Sequence, residues 1–150
     1  MNTKSLKSYG YRTDKAMRTV VRLERVTQKL QQKTLNYLSD NNLTFNQFKV
    51  LEVLYHRGNL NIGSITKLTM STPGNITVVV KNLKRDGWIT AIADPEDKRA
   101  SILQLEDKGK EVIERVFPEH AKNLHNNMEV LSDDELDTLF DLLNKVYKAN

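Results

Sequence analysis

The segment that most constrains the fold is STPGNITVVVKNLKRDGW, residues 71–88, because it predicts one short helix with two unlike faces. Thr72 has the chemistry of an N-cap, and Pro73 suits the first helical position, where its missing N–H costs nothing. Asp86 and Gly87 then end the helix. Four apolar residues at helical spacing form an inward stripe: Ile76, Val79, Val80 and Leu83. The segment therefore predicts a helix that packs on a core and presents a polar surface outward.

The outer face of this helix carries short side chains and then a lysine: Asn75, Thr77, Val78, Lys81 and Asn82. A shorter helix is predicted just before it, from about Ile62 to Thr69, with Asn61 as its cap and with Ile65 and Leu68 pointing inward. Two helices joined by a tight turn make a helix-turn-helix, whose second helix fits the major groove of DNA. The alternative is an ordinary core helix with a polar outer face, because helix-turn-helix patterns are weakly specific.

Two strand-like runs, WITAIA and SILQLE, follow this helix and are separated by the charged loop DPEDKRA. Strand, loop and strand predict a β-hairpin, which completes a winged helix. Lys98 and Arg99 lie at the tip of the loop. Asp97 can hydrogen-bond Arg99 and orient its guanidinium, which suits the negative potential of a narrow minor groove. The alternative is a solvated turn of mixed charge.

Long amphipathic helices flank the winged helix in the sequence. Apolar residues recur at helical spacing over residues 15–38, and again after Asp107, which can cap a helix that Pro118 kinks. Ser132 and Glu135 form a capping box for a last helix. These helices have more apolar surface than a small winged helix can cover, so an intertwined homodimer is predicted. The expected fold class is mainly α, a winged helix-turn-helix with N- and C-terminal dimerisation helices.

Composition excludes several classes of protein. The chain has 150 residues and no cysteine, so it suits one domain without disulfides or thiolate metal sites. No signal peptide or membrane-spanning run appears, and a cytoplasmic protein with no membrane partner is expected by default. Residues 1–40 hold nine Lys or Arg and three Asp or Glu. Residues 111–150 instead hold four Lys or Arg and nine Asp or Glu. These ends can attract each other within a chain or between two chains, or they are solvated helix faces.

The chain resembles the MarR family of bacterial transcriptional regulators over essentially its whole length. Three segments carry the resemblance: LTFNQFKVLEVL (43–54), GNITVVVKNLKRDGWI (74–89) and DPEDKRASILQLEDKG (94–109). The resemblance implies one domain over residues 1–150, with a winged-helix core at about 44–106, a helix-turn-helix at about 61–86 and dimerisation helices at about 15–38 and 107–148. It also implies a homodimer on a pseudo-palindromic DNA operator, usually as a repressor, and release by small, often phenolic or aromatic ligands.

By position, the resemblance assigns the DNA contacts to eight residues. They are Thr72, Gly74, Asn75, Thr77, Val78 and Lys81 in the recognition helix, and Lys98 and Arg99 in the wing. Two positions depart from the family, which often has arginine or another polar residue in place of Val78 and arginine near Ala91. Val78 can touch a thymine methyl group but cannot pair with guanine, so we expect weaker binding or A·T-rich sites. Residues 62–110 hold eight Lys or Arg against six Asp or Glu, so specific contacts must supply the affinity.

The resemblance also implies a ligand pocket between the winged helix and the dimerisation helices. Its candidate lining residues are aromatic or histidine side chains: Tyr37, Tyr55, His56, Trp88 and His120, with Tyr9 and Tyr11 as further candidates. The alternative for each is core packing or a surface position. Covalent capture of a quinone by a thiol is excluded because the chain has no cysteine.

Two other classes of function fit the residues less well. The histidines at 56, 120 and 125, with Glu119 and Glu129 nearby, match no HExxH motif, and neither a phosphate loop nor a nucleophile elbow is present. We therefore expect no enzyme activity, no metal site and no cofactor.

A winged helix that binds a protein and not specific DNA is the remaining alternative. The wing discriminates between DNA binding and protein binding, because only DNA binding requires Arg99.

Overall fold

The computed structural model describes residues 7–150 as six helices and three short strands. In chain order they are α1 (Tyr11–Asp40), α2 (Phe45–Arg57), β1 (Leu60–Asn61), α3 (Ile62–Leu68), α4 (Pro73–Arg85), β2 (Ile89–Ala93), β3 (Ser101–Leu105), α5 (Asp107–Met128) and α6 (Asp133–Ala149). The mainly helical class is confirmed, and α1 extends beyond its predicted span at both ends.

The strands form one antiparallel sheet in the order β1-β3-β2. In the hairpin, Ile89 lies opposite Leu105 and Ala93 lies opposite Ser101, so the charged loop projects from the far end. Leu60 of β1 pairs with Leu103 on the other edge of β3. This short strand ties the start of α3 to the wing.

Most of the predicted helix caps are present with their hydrogen bonds. Ser132 opens α6 in a capping box, and Asn61 and Thr72 cap α3 and α4. A second capping box, of Thr44 with Gln47, opens α2. The prediction for α5 was wrong, since Glu106 occupies the N-cap position without a side-chain hydrogen bond and Asp107 is the first helical residue. An acid there still stabilises the helix through the macrodipole.

The core lies where α2, α4, α5 and the sheet meet. Its fully buried side chains come from each of these elements, from the C-terminal end of α1 and from α3: Leu38, Val50, Leu51, Ile65, Ile76, Leu83, Ile89, Ile113 and Val116. The prediction that Leu68 points inward was wrong: it is exposed at the last residue of α3, where the chain leaves the helix, and Ile65 is the buried residue of α3. The helix α5 continues unbroken through Pro118.

The outer helices leave large apolar surfaces uncovered in the single chain. No residue of α6 is buried, and Leu38 is the only buried residue of α1. The exposed apolar side chains include Met17, Val20, Val21, Val26, Leu136, Phe140, Leu143, Val146 and Tyr147. The prediction that the winged helix cannot cover these faces is confirmed.

No helix within residues 7–150 is both long enough and apolar enough to cross a bilayer.

Candidate nucleic-acid interface

The recognition helix α4 divides into two faces as its sequence predicts. Ile76, Val80 and Leu83 are buried, and Val79 is half-buried. The six predicted contact residues of this segment are all exposed: Thr72, Gly74, Asn75, Thr77, Val78 and Lys81. Val78 keeps 59% of its surface accessible although it is apolar. The outward orientation is confirmed, and contact with DNA stays a prediction.

Hydrogen bonds at the start of α4 fix the helix end and leave side chains free. The Thr72 hydroxyl accepts from the Asn75 N–H at 3.3 Å, and the Thr77 hydroxyl donates to the Pro73 carbonyl at 2.8 Å. Within residues 7–150, the Asn75 side-chain amide makes no hydrogen bond, so both its donor and its acceptor face solvent. A Cβ atom at Gly74 would meet nothing within 4 Å, which leaves room for another surface to approach.

The wing presents two exposed basic side chains, Lys98 and Arg99, on the loop between β2 and β3. The Asp97 carboxylate accepts from the backbone N–H of Arg99 at 3.0 Å. It makes no ion pair with the guanidinium in the described part of the chain, so the predicted orientation of that group by Asp97 was wrong. An Asp side chain that accepts from the backbone N–H two residues later forms an Asx turn. Asp97 therefore shapes the backbone of the loop.

Tyr37 and His120 line one cavity of about 410 Å³ between α1 and α5. The Tyr37 hydroxyl donates to the Val116 carbonyl at 2.8 Å, and burial, assisted by the Glu119 carboxylate, raises the pKa of Tyr37. The other lining residues are polar: Lys33, Thr34, Asn36, Asn123, Asn126 and Asn127. Of these, the Lys33 ammonium on α1 donates to the Asn127 side-chain oxygen on α5 at 2.9 Å.

His120 connects this cavity to an aromatic cluster on α2 and α5. Its ring is 9% exposed and lies edge-on to Phe48, with 4.8 Å between the ring centroids. Burial lowers the pKa of His120, so the neutral imidazole predominates at neutral pH. The ring of Phe117 lies 5.8 Å from His120 and 4.4 Å from His56.

The structure brings four of the five principal pocket candidates into one region and leaves one outside it. Tyr55 packs edge-on to His56 at 5.1 Å, and His56 joins the cluster through Phe117. Trp88 instead lies at the junction of α4 and β2, where its carbonyl accepts from the Glu106 N–H. Tyr9 and Tyr11 are exposed near the start of α1. Phe48 and Phe117 were not predicted, because their helical spacing indicated core packing alone.

The basic and acidic ends of the chain do not pair with each other in the described residues. The ion pairs there are local: Glu52 with His56, Arg85 with Asp86, Lys110 with Glu114 and His125 with Glu129. The proposed attraction within one chain is therefore not seen.

Over residues 7–150, no group of three or more His, Asp or Glu residues is arranged to hold a metal ion.

Comparisons with known proteins agree with this geometry. Residues 43–101 match the model of the MarR family. The multiple antibiotic resistance protein MarR of Salmonella typhimurium is 31% identical over 81% of this chain and 85% of its own length. The regulator YkoM of Bacillus subtilis is 38% identical over 99 residues, which span 66% of this chain and 64% of YkoM.

The fold also matches solved structures. A mutant of Escherichia coli MarR, crystallised with operator DNA, superposes with a TM-score of 0.78 and 26% identity over 91% of this chain and 99% of that one. A winged helix with an exposed recognition face, together with these relatives, establishes the class of the protein. The chain belongs to the MarR family of winged-helix, DNA-binding transcriptional regulators, which are not enzymes.

Proposed function

We propose that the protein is a homodimeric repressor that binds a pseudo-palindromic operator and leaves it when a small phenolic or aromatic ligand binds. The observation that carries this proposal is the exposed outer face of α4, whose opposite, apolar side packs on the core. Such a helix can enter the major groove without disturbing the fold. Escherichia coli MarR, similar over nearly its full length, was crystallised with operator DNA.

Base readout is assigned to the first two turns of α4. The free amide of Asn75 has the donor and acceptor that match adenine, and Lys81 can donate to guanine or to a phosphate. The exposed methyl groups of Val78 suit a thymine methyl group. The N-terminal end of α4 is assigned to DNA phosphates, because the helix dipole favours negative charge there. The residues at this end that allow the backbone to approach a phosphate are Thr72, Gly74 and Thr77.

The wing is assigned to the minor groove. Lys98 and Arg99 are exposed and make no ion pair within the described residues, so both charges are available to DNA. The Asx turn of Asp97 restricts the loop backbone, and this restriction reduces the entropy lost on binding. The effect of Asp97 on recognition therefore passes through the backbone.

Dimerisation is assigned to the uncovered faces of α1 and α6. A two-fold arrangement places two recognition helices about one DNA turn apart, ~34 Å, which accounts for the expected palindrome. The effector is assigned to the cavity lined by Tyr37 and His120, with Tyr55 and His56 at the edge of the same cluster. Because Phe48 on α2 packs on His120, a ligand there would contact the domain that carries α4.

The test is fluorescence anisotropy with duplexes from the DNA flanking the gene for this protein, compared with random DNA at several salt concentrations. We expect clear preference for a flanking duplex. Arg99→Ala should weaken operator binding and reduce the slope of log affinity against log salt by about one. Unchanged affinity and slope would remove the wing from the interface. Equal, weak binding of the wild type to all duplexes would favour a protein-binding winged helix.

A further inference from the structure

Lys49 links helix α2 to the turn between α3 and α4. The side chain is half-buried, and its Nζ lies 3.2 Å from the Thr69 carbonyl oxygen and 3.2 Å from the Ser71 hydroxyl. The ammonium also lies 5.0 Å from the centre of the Phe45 ring. Thr69 closes α3, and Ser71 immediately precedes Thr72, the cap of the recognition helix. One charge therefore contacts the C-cap of α3 and the residue before the N-cap of α4.

The other hydrogen bonds of this turn run back to α3 or join the Thr69 and Ser71 side chains within the turn. The Met70 N–H donates to the Lys67 carbonyl at 3.2 Å, and the Ser71 N–H donates to the Thr66 carbonyl at 3.1 Å. The Thr69 hydroxyl donates to the Ile65 carbonyl at 2.8 Å. These bonds fix the shape of the turn. In the described residues, the hydrogen bonds that join residues 69–71 to α2 are the two made by Lys49.

We propose that Lys49 is a positioning residue for DNA recognition, whose ammonium holds the α3–α4 turn, and with it the first turn of α4, at the angle needed to reach base edges. A cation is stabilised at the C-terminal end of α3, where carbonyl groups lack helical partners. Hydrogen bonds to bases require placement to within about 0.5 Å, so a small rotation of α4 matters. Contacts to phosphates tolerate such a rotation better than contacts to bases do.

The test compares Lys49→Met with Lys122→Met, which removes the same charge from an exposed position on α5 with no hydrogen bond or ion pair in the described residues. Both are titrated against the tightest duplex that the wild type selects from a random pool, and against random DNA, over a range of salt. We expect Lys49→Met to lose about tenfold in affinity for the selected duplex. Its affinity for random DNA and its salt slope should match those of Lys122→Met.

Three results would overturn the proposal. A salt slope lower by about one on both duplexes would make Lys49 a direct phosphate contact. Equal losses on selected and random DNA would indicate general damage to the domain, and unchanged affinity for the selected duplex would remove any role in recognition. Thermal unfolding establishes that each variant is folded at the assay temperature. Lys49→Gln, which keeps one donor group, serves if the methionine variant does not fold.

Discussion

At the scale of single residues, the turn of the helix-turn-helix contains a residue in an unfavourable backbone conformation. Met70 has a φ of 52°, in the left-handed region, and its side chain is 89% exposed. The position corresponds to the residue after a helix C-cap, where glycine is usual because a Cβ atom crowds the following carbonyl. The side chain gains little packing in return, so the strain is not offset locally.

Replacing Met70 by glycine should therefore stabilise the protein relative to Met70→Ala, which keeps the Cβ atom. We expect the free energy of unfolding to be higher by about 1 kcal/mol in the glycine variant, since relief of strain exceeds the added entropy of the unfolded chain. Urea denaturation of both variants measures the difference. Equal stability of the two variants would mean that the left-handed turn costs nothing here.

His120 makes stability depend on pH. Burial lowers its pKa from the ordinary value of 6.5, so the unfolded chain binds a proton more readily than the folded chain. The stabilisation by the neutral ring is complete above about pH 6.5 and declines as the pH falls through the lowered pKa.

We expect the wild type to lose more unfolding free energy between pH 7.5 and 5.5 than His120→Gln, whose amide does not titrate in this range. Urea denaturation at a series of pH values measures this difference. Parallel pH profiles for the two proteins would show that His120 does not contribute.

Residue patterns predicted which side chains face outward but not which contacts they make. Helical spacing alone predicts that Ile76 is buried and Val78 is exposed. The bond between Asp97 and the Arg99 backbone, and the reach of Lys49 across 22 residues to Ser71, depend on loop conformation and tertiary packing. No periodicity in the sequence encodes either of these contacts.

At the scale of the elements, local chemistry predicted the ends of helices wherever a side chain supplies the cap. Ser132 with Glu135 begins α6 as predicted, and Thr44 with Gln47 begins α2 in the same way, because both hydrogen bonds of a capping box are local. The start of α5 was predicted less accurately, because the strand β3 leads into this helix without a capping side chain. The junction between these two elements is determined by packing.

That junction depends on Gly109, which is buried in the first turn of α5. A Cβ atom at this position would collide with the Trp88 carbonyl oxygen and lie 3.1 Å from a methyl group of Leu105. Gly109→Ala must therefore displace α5 from the Trp88 backbone, and we expect a loss of about 1–3 kcal/mol in unfolding free energy.

The matched control is Gly74→Ala in the first turn of α4, where a Cβ atom meets nothing within 4 Å. Alanine there should raise stability by up to about 1 kcal/mol, because it favours the helix. Thermal or urea denaturation of the two variants gives the comparison. A neutral Gly109→Ala would show that the junction can relax without cost.

At the scale of the whole molecule, the winged helix is a closed unit and the outer helices are not. The core joins α2, α4, α5 and the sheet, whereas α6 contributes no buried residue. An uncovered face of this kind is costly in water, at about 25 cal/mol per Å² of apolar surface. Association through α1 and α6 would remove that cost, and it would also set the distance between the recognition helices.

Phe140, which is 66% exposed in the single chain, tests this assembly. Phe140→Asp places a charge within the apolar face of α6 and should convert the proposed dimer to monomers in analytical ultracentrifugation. Thr138→Asp adds the same charge two residues away, about 200° around the helix on the polar face, and should remain dimeric. Operator affinity should fall in parallel with dimer content, because a monomer contacts only one half-site. A Phe140→Asp protein that stays dimeric and binds normally would place the subunit interface elsewhere.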